Sequence, residues 1–286
     1  MISRVGIGSY AFRYAIGFDN FKPKHPMTVY DFLTVLNKLN YNRVQLCENL
    51  NILKFNEKQL LKVKKLASDL NIVVELGMNT FNEENLKAYL KISKILSTKF
   101  LRIAVSRKTY NSIKNINLMF DNSLNLLKKY LKEFKENNIY IGLENHYDLP
   151  TEKLVELVQI VDDKQVGLIY DTTNHLAFLE KPESTLDLFF PYLFSIHLKD
   201  YVIEKSEASY LIKGTILGEG FLNMERILKK TIKSNKLISI ILEMSIERNL
   251  NQNTNEVIQW EKGAVNQSTA NLFSCLNKLK EENYLS

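Results

Sequence analysis

Short apolar runs alternate along the chain with longer segments in which apolar residues recur at helical spacing. In Leu60–Leu70 and Leu124–Phe134, apolar residues keep to one face and lysines and acidic residues occupy the other, which predicts amphipathic helices. Each apolar run has the length of a β-strand and precedes a helical pattern of this kind. There are eight such runs: Val5–Gly8, Val44–Cys47, Ile72–Leu76, Phe100–Val105, Ile139–Glu144, Val166–Asp171, Phe194–His197 and Ile238–Glu243.

Eight near-continuous apolar strands that alternate with helices predict a parallel sheet covered by helices, and therefore an α/β fold. Eight such units in about 250 residues are typical of the (β/α)8 TIM barrel. A doubly wound open sheet is the alternative, but Gly6 and Gly8 are not continued by the Gly-x-Gly-x-x-Gly pattern that it would favour. The chain shows no linker, so we predict a single barrel domain over residues 1–286, with 254–286 as a C-terminal helical segment.

The composition places the chain among ordinary globular proteins, with 286 residues, 45% hydrophobic and 24% charged. The net charge of +6 permits an acidic partner without requiring one. Basic runs such as Lys62–Lys65 lie on amphipathic helices, which indicates a solvated surface and no nucleic-acid partner. Cys47 and Cys275 are too few for a disulfide framework and favour a reducing compartment.

The sequence also predicts no membrane partner and a cytoplasmic location. No apolar run approaches the roughly 20 residues that a membrane span needs. The first residues, 1–6, enter a strand-like pattern at once, so we do not expect them to form a signal peptide.

Residues with metal-ligand chemistry end the last four predicted strands: Glu144, Asp171, His197 and Glu243. Active sites of TIM barrels lie at the carboxyl ends of the strands, where these side chains would converge. One such residue alone is as readily a helix cap, a loop charge or a core histidine. Burying three unpaired carboxylates together would be very costly without a cation, so the set predicts a divalent metal centre. Carboxylates with one imidazole favour Mn²⁺ or Mg²⁺, with Co²⁺ or Zn²⁺ as alternatives.

Polar residues close to these four positions are candidates for binding a substrate. They are His146, Asn174, Lys199, Glu219 and Gln45. The glycines on either side of Glu219 would let the backbone approach a ligand, although an ordinary turn explains them equally well. His25, in the predicted long loop after the first strand, could reach the site or lie on the surface.

These segments together resemble the xylose-isomerase-like TIM-barrel superfamily of sugar and sugar-phosphate isomerases and epimerases. The resemblance rests on Leu143–His146, Tyr170–Asn174, Ile196–Asp200, Leu217–Gly220 and Leu242–Glu243, and it covers essentially the whole chain. It implies that Glu144, Asp171, His197 and Glu243 bind a divalent ion, with Mn²⁺ expected. It also implies an enediolate intermediate, Glu144 and Glu243 as the acid/base pair, a small carbohydrate or sugar acid as substrate, and homo-oligomers as a plausible assembly.

Three further segments, Gly6–Ala11, His25–Met27 and Val44–Asn49, resemble 3-oxo-isoapionate decarboxylase-like proteins. Decarboxylation of a sugar-derived 3-oxo acid is therefore the alternative to isomerisation or epimerisation. The tagatose 3-epimerase-like branch has His where this chain has Asn174 and Arg where it has Ile203, which puts a ketohexose 3-epimerase in doubt.

Two other classes of function are less favoured. Endonuclease IV shares the superfamily but uses a trinuclear zinc site with several histidines. This chain has only four histidines, His25, His146, His175 and His197, which are too few for three zinc ions. A barrel that binds a sugar without catalysis is weakened by the complete ligand set.

Overall fold

The computed structural model describes residues 4–106 and 113–284. Eight parallel strands close into a barrel in the order β1-β10-β7-β6-β5-β4-β3-β2, which confirms the predicted (β/α)8 fold. Each apolar run of the sequence overlaps one barrel strand. The barrel strands are β1 Val5–Gly8, β2 Arg43–Cys47, β3 Val73–Met78, β4 Phe100–Ile103, β5 Tyr140–Glu144, β6 Val166–Asp171, β7 Leu193–Leu198 and β10 Ser239–Leu242.

Helices surround the barrel and bury their apolar stripes against it. On α3, Glu57–Asp69, the residues Leu60, Val63 and Ala67 are buried, and a capping box formed by Asn56 and Gln59 starts the helix. The final segment forms one long helix, α9. The α-helices are α1 Arg13–Ile16, α2 Val29–Lys38, α3 Glu57–Asp69, α4 Glu83–Leu96, α5 Ile113–Glu136, α6 Thr151–Val161, α7 Pro182–Phe189, α8 Met224–Thr231 and α9 Thr254–Glu281.

Alternation along the strands decides which side chains point into the barrel. On β5, Ile141 and Leu143 belong to the main apolar core between the strands and the helices. Gly142 and Glu144 therefore face the barrel interior, where a Cβ at Gly142 would lie 2.6 Å from the Phe100 ring. This alternation brings the last residue of β5 to the centre of the carboxyl end of the barrel.

A β-hairpin that the apolar pattern did not predict follows β7. It comprises β8 Asp200–Lys205 and β9 Tyr210–Thr215. Asp200 holds the following loop, because its carboxylate accepts hydrogen bonds from the backbone N–H groups of Gly218, Gly220 and Leu222 at 2.9, 3.0 and 2.9 Å. The backbone amides of this loop therefore point at Asp200. Of the two explanations given for the glycines beside Glu219, approach to a ligand or an ordinary turn, the structure favours the turn.

No helix within residues 4–106 and 113–284 combines the length and apolarity that crossing a membrane would require.

Candidate active site

Four side chains of metal-ligand type meet at the carboxyl end of the barrel. Glu144, Asp171 and His197 lie on β5, β6 and β7, and Glu243 directly follows β10. One ligand atom from each residue lies within 4.8 Å of the others. All four side chains are buried, with at most 3% of any residue exposed. The four residues singled out by the sequence are thus brought together.

Both carboxylate oxygens of Glu144 are engaged. Arg102 of β4 donates from Nε to Oε2, and Asn174 donates from Nδ2 to Oε1 at 3.2 Å. Arg102 is itself fixed, because its Nη1 donates to Oδ1 of Asn79. Burial opposes ionisation of Glu144, but Arg102 and His197 outweigh it and hold the pKa of this carboxyl well below its usual value. Glu144 is therefore a fixed anion.

The two oxygens of Asp171 have different surroundings. Oδ1 accepts hydrogen bonds from the Thr173 and Asn174 backbone N–H groups at 2.9 and 3.0 Å and from Thr173 Oγ1 at 3.1 Å. Oδ2 has no hydrogen-bond partner among the described residues, but it lies 2.7 Å from Lys199 Nζ as an ion pair. Burial raises the pKa of Asp171, and Lys199 partly offsets this effect. Only Oδ2 is left to bind a further cation.

Glu243 also presents one unengaged oxygen to the cluster. Its Oε1 has no hydrogen-bond partner in the described part of the chain and lies 3.4 Å from His197 Nδ1, while Oε2 lies 3.2 Å from Lys199 Nζ. Gly8 makes room for this side chain, because a Cβ there would lie 3.2 Å from Oε1. Burial opposes ionisation of Glu243, yet Lys199 and His197 keep its pKa below the usual value.

Three buried atoms of the cluster lack a hydrogen-bond partner among the described residues: Asp171 Oδ2, His197 Nδ1 and Glu243 Oε1. Buried polar atoms are normally hydrogen-bonded, and of these three only Asp171 Oδ2 has a close ion-pair partner, Lys199, so the cluster has capacity for a further ligand. Two oxygens and an imidazole nitrogen form a donor set that suits a hard or borderline divalent cation. Three carboxylates face two cationic side chains, Arg102 and Lys199, which leaves one negative charge in excess when His197 is neutral. The cluster could therefore hold a divalent metal ion.

Gln45 lies behind the cluster and away from the cavity wall. It is fully buried, and its Nε2 lies 3.3 Å from His197 Nε2. Turning this amide by 180° would place its oxygen at that position, where it would accept the Nε2 proton. In that arrangement Gln45 would orient the imidazole, with the lone pair of Nδ1 facing the carboxylates. The sequence had suggested a substrate contact at this position.

A cavity of about 820 Å³ opens above the cluster. Four residues that the sequence singled out line it: His146, Asn174, Lys199 and Glu243. His146 Nδ1 is buried without a partner in the described residues, and burial lowers the pKa of this imidazole to about 3. His146 is therefore neutral at physiological pH.

Two sequence candidates lie elsewhere. Glu219 and His25 are both exposed, and neither lines this cavity. Glu219 belongs to the loop that Asp200 holds, whose backbone geometry turns its side chain towards solvent.

Sequence reasoning missed Arg102, Asn79 and Tyr10, which also line the cavity. Asn79 Nδ2 donates to the Tyr10 hydroxyl at 2.6 Å and connects the ends of β3 and β1. Arg102 carried a signal, because a lone arginine in the otherwise apolar run Phe100–Ile103 requires an anionic partner when it is buried. Asn79 and Tyr10 carried none, since polar residues after strands are common.

Comparisons with known proteins agree with this architecture. The family profile described as Xylose isomerase-like TIM barrel matches residues 33–263. The chain is 26% identical over 262 residues to 3-oxo-isoapionate decarboxylase of Pectobacterium atrosepticum, covering 91% of this chain and 88% of that protein.

Solved structures show the same fold at lower identity. D-psicose 3-epimerase of Clostridium cellulolyticum H10, solved with D-tagatose, is 14% identical with a TM-score of 0.70, covering 96% of this chain and 98% of that one. A xylose isomerase-like TIM barrel protein of Mycobacterium smegmatis, solved with magnesium, is 13% identical with a TM-score of 0.64, covering 91% and 97%. The chain therefore belongs to the xylose isomerase-like TIM barrel family.

Proposed function

We propose that this chain is a divalent-metal-dependent enzyme that decarboxylates a sugar-derived 3-oxo acid. The similarity to 3-oxo-isoapionate decarboxylase over 91% of the chain supports this substrate class. The buried cluster with three unsatisfied donor atoms supports the metal dependence. Mn²⁺ is the expected ion, with Mg²⁺, Co²⁺ or Zn²⁺ as alternatives.

The reaction type is inferred from one difference between Glu144 and Glu243, which is how many of their carboxylate oxygens already have partners. Epimerisation by two groups needs one residue to remove a proton and another to deliver one on the opposite face. Glu144 has both oxygens engaged by Arg102 and Asn174, whereas Glu243 keeps Oε1 unengaged. One available carboxylate supports a reaction with one proton delivery, as in decarboxylation. We therefore rank decarboxylation ahead of epimerisation, the reverse of the order that the sequence suggested.

The cavity residues provide the groups for this chemistry. A bound divalent ion would supply Lewis-acid polarisation of the substrate carbonyl. The C–C bond between the carboxyl group and the neighbouring carbon breaks, and CO₂ leaves. The electron pair of that bond stays on the carbon next to the carbonyl. This carbon then takes up one proton, which solvent supplies by way of the Glu243 carboxylate. Lys199 faces the substrate carboxylate with its positive charge, and neutral His146 binds a hydroxyl group through Nδ1.

Isomerisation of a keto sugar is the second candidate. A single unengaged oxygen, Glu243 Oε1, can move a proton between adjacent carbons on one face of a substrate. Epimerisation of a free ketohexose is less favoured, because Asn174 and Ile203 replace the His and Arg of the tagatose 3-epimerase-like branch. Both candidates use a small molecule and no nucleic acid, and a cytoplasmic homo-oligomer is compatible with either.

The test is a substrate panel with metal-stripped and Mn²⁺-loaded protein. Branched 3-oxo acids, keto sugars and sugar phosphates are incubated with each, and CO₂ release and product structure are measured. We expect CO₂ from a 3-oxo acid with loaded protein only. Keto-sugar isomerisation without CO₂ release would favour the second candidate. Turnover that survives complete metal removal would refute the metal dependence.

A further inference from the structure

Lys199 lies against two of the three carboxylates of the cluster. Its Nζ is 2.7 Å from Asp171 Oδ2 and 3.2 Å from Glu243 Oε2. The residue is only 7% exposed, yet its side chain also lines the cavity. The ammonium group therefore stands between the cluster and the space in which a substrate would bind.

The oxygen that Lys199 contacts on Asp171 is also the only one left for a metal ion. Asp171 Oδ1 already accepts three hydrogen bonds, two of them from the backbone. A divalent ion bound to Oδ2 would take the same lone pairs that now face the ammonium. Metal–oxygen bonds of about 2.0 to 2.2 Å would place both cations close to one oxygen, where they repel each other.

The second cation of the cluster differs in this respect. Arg102 is held on two sides, by Glu144 and by Asn79. Its planar guanidinium fits these partners in one geometry. Lys199 Nζ has its two carboxylates as partners in the described part of the chain, at the end of a flexible four-carbon stem. Of the two cations, Lys199 is the one that can move.

We propose that Lys199 and a divalent cation compete for Asp171 Oδ2 and Glu243, so that metal binding transfers the Lys199 ammonium to the cavity, where it faces the substrate. This inference rests on the proposed function, because it requires the cluster to bind a metal ion. Lys199 then weakens metal binding, and it contacts the substrate only in the metal-loaded protein.

Calorimetric titration of the metal-stripped full-length protein with Mn²⁺ tests the competition. Lys199→Met removes the competing charge and keeps the length of the side chain. Lys54→Met is the matched control, because Lys54 lines the same cavity but is exposed. We expect the Kd for Mn²⁺ to fall at least tenfold in Lys199→Met and to stay within twofold of the unmodified protein in Lys54→Met.

A Kd in Lys199→Met that is unchanged or higher overturns the inference and leaves the metal-dependent function standing. Failure of the unmodified protein to bind Mn²⁺ overturns both, so the two failures are distinguishable.

A second measurement needs no variant and decides the question if Lys199→Met does not fold. Reductive methylation of the unmodified protein is followed at each lysine by mass spectrometry, with and without saturating Mn²⁺. We expect the rate at Lys199 to rise several-fold with Mn²⁺ while the rate at Lys54 stays constant. A rate at Lys199 that stays constant or falls contradicts the transfer.

Discussion

The two ends of the barrel both bury carboxylates, but they neutralise them differently. At the amino end, Glu75 on β3 is 1% exposed and pairs with Arg43 Nη1 at 2.6 Å. Ser239 on β10 donates from Oγ to the other Glu75 oxygen at 3.2 Å. Strands β3 and β10 are separated by β2 and β1, so this contact crosses the barrel interior. One carboxylate meets one cation there, and both oxygens have partners.

At the carboxyl end, the negative charge is incompletely neutralised and some ligand-type atoms lack hydrogen bonds. Three carboxylates meet Arg102 and Lys199, and three donor atoms of the cluster lack hydrogen bonds in the described residues. Cavity size does not separate the ends, because the amino-end cavity is about 770 Å³ and the carboxyl-end cavity about 820 Å³. A buried unpaired charge is costly, so it persists where a ligand compensates it. Charge balance therefore distinguishes a structural ion pair from a binding site.

The largest expected effect is on turnover at the carboxyl end. Glu243→Gln keeps the shape of the side chain but removes its charge and its capacity to carry a proton. We expect kcat to fall by about 100- to 10,000-fold, as for other positioned acid/base groups. Glu75→Gln is the matched control at the amino end and should leave kcat within about threefold of the unmodified protein, because Glu75 lies outside the proposed site. Near-full activity in Glu243→Gln would contradict the assignment of this residue.

Removing the arginine at each end should affect stability unequally. Arg102→Met leaves Glu144 buried beside the remaining carboxylates, and such a broken buried pair costs about 3–5 kcal/mol. Arg43→Met should cost less, because the Arg43 side chain is 13% exposed and water reaches part of it. Urea denaturation in the presence of a chelator measures both free energies of unfolding. Equal losses of unfolding free energy in the two variants would show that the surplus negative charge at the carboxyl end does not distinguish it from the amino end.

The smallest effect concerns another buried carboxylate, Glu261 on α9, which forms no ion pair among the described residues. It accepts hydrogen bonds from the backbone N–H groups of Tyr14 and Ala15 at 2.7 and 2.8 Å. Burial raises the pKa of Glu261 from 4.5 to about 7. A carboxyl whose pKa is higher in the folded chain stabilises the fold fully below the unfolded value, near 4.5, and this contribution is lost as the pH rises through about 7.

We expect this group to lower the free energy of unfolding by on the order of 2 kcal/mol between pH 5 and pH 8. Glu261→Gln should flatten the profile in that interval, which denaturation at a series of pH values would measure. A variant profile as steep as that of the unmodified protein would assign the dependence to other groups.

Much of the fold could be predicted because it depends on local patterns. The eight apolar runs overlap the eight barrel strands, since strands covered by helices are apolar on both faces. Glu144, Asp171, His197 and Glu243 could be placed together, because the carboxyl ends of barrel strands converge. Their chemistry as metal ligands stays a prediction, which the unsatisfied donor atoms support.

Other features depend on contacts that the sequence does not display. The β8–β9 hairpin had no clear apolar alternation, and its largely exposed strands are held by backbone pairing with each other. Gln45 and Glu219 both follow the rule that polar residues near strand ends bind substrates. The structure turns Gln45 to His197 and Glu219 to solvent, because the position within β2 sets the direction of Gln45 and the path of the loop sets that of Glu219.

The sequence by itself determined the barrel, its single domain and the four positions at which ligand-type residues converge. Only the tertiary structure decided that Glu144 is fixed by Arg102 while Glu243 keeps an unengaged oxygen, and that Lys199 pairs with Asp171 and Glu243. The physical reason is the distance along the chain over which each effect acts. Apolar periodicity acts over one turn or one strand, whereas the charge state and freedom of a carboxylate depend on which cations lie within a few ångströms across the barrel.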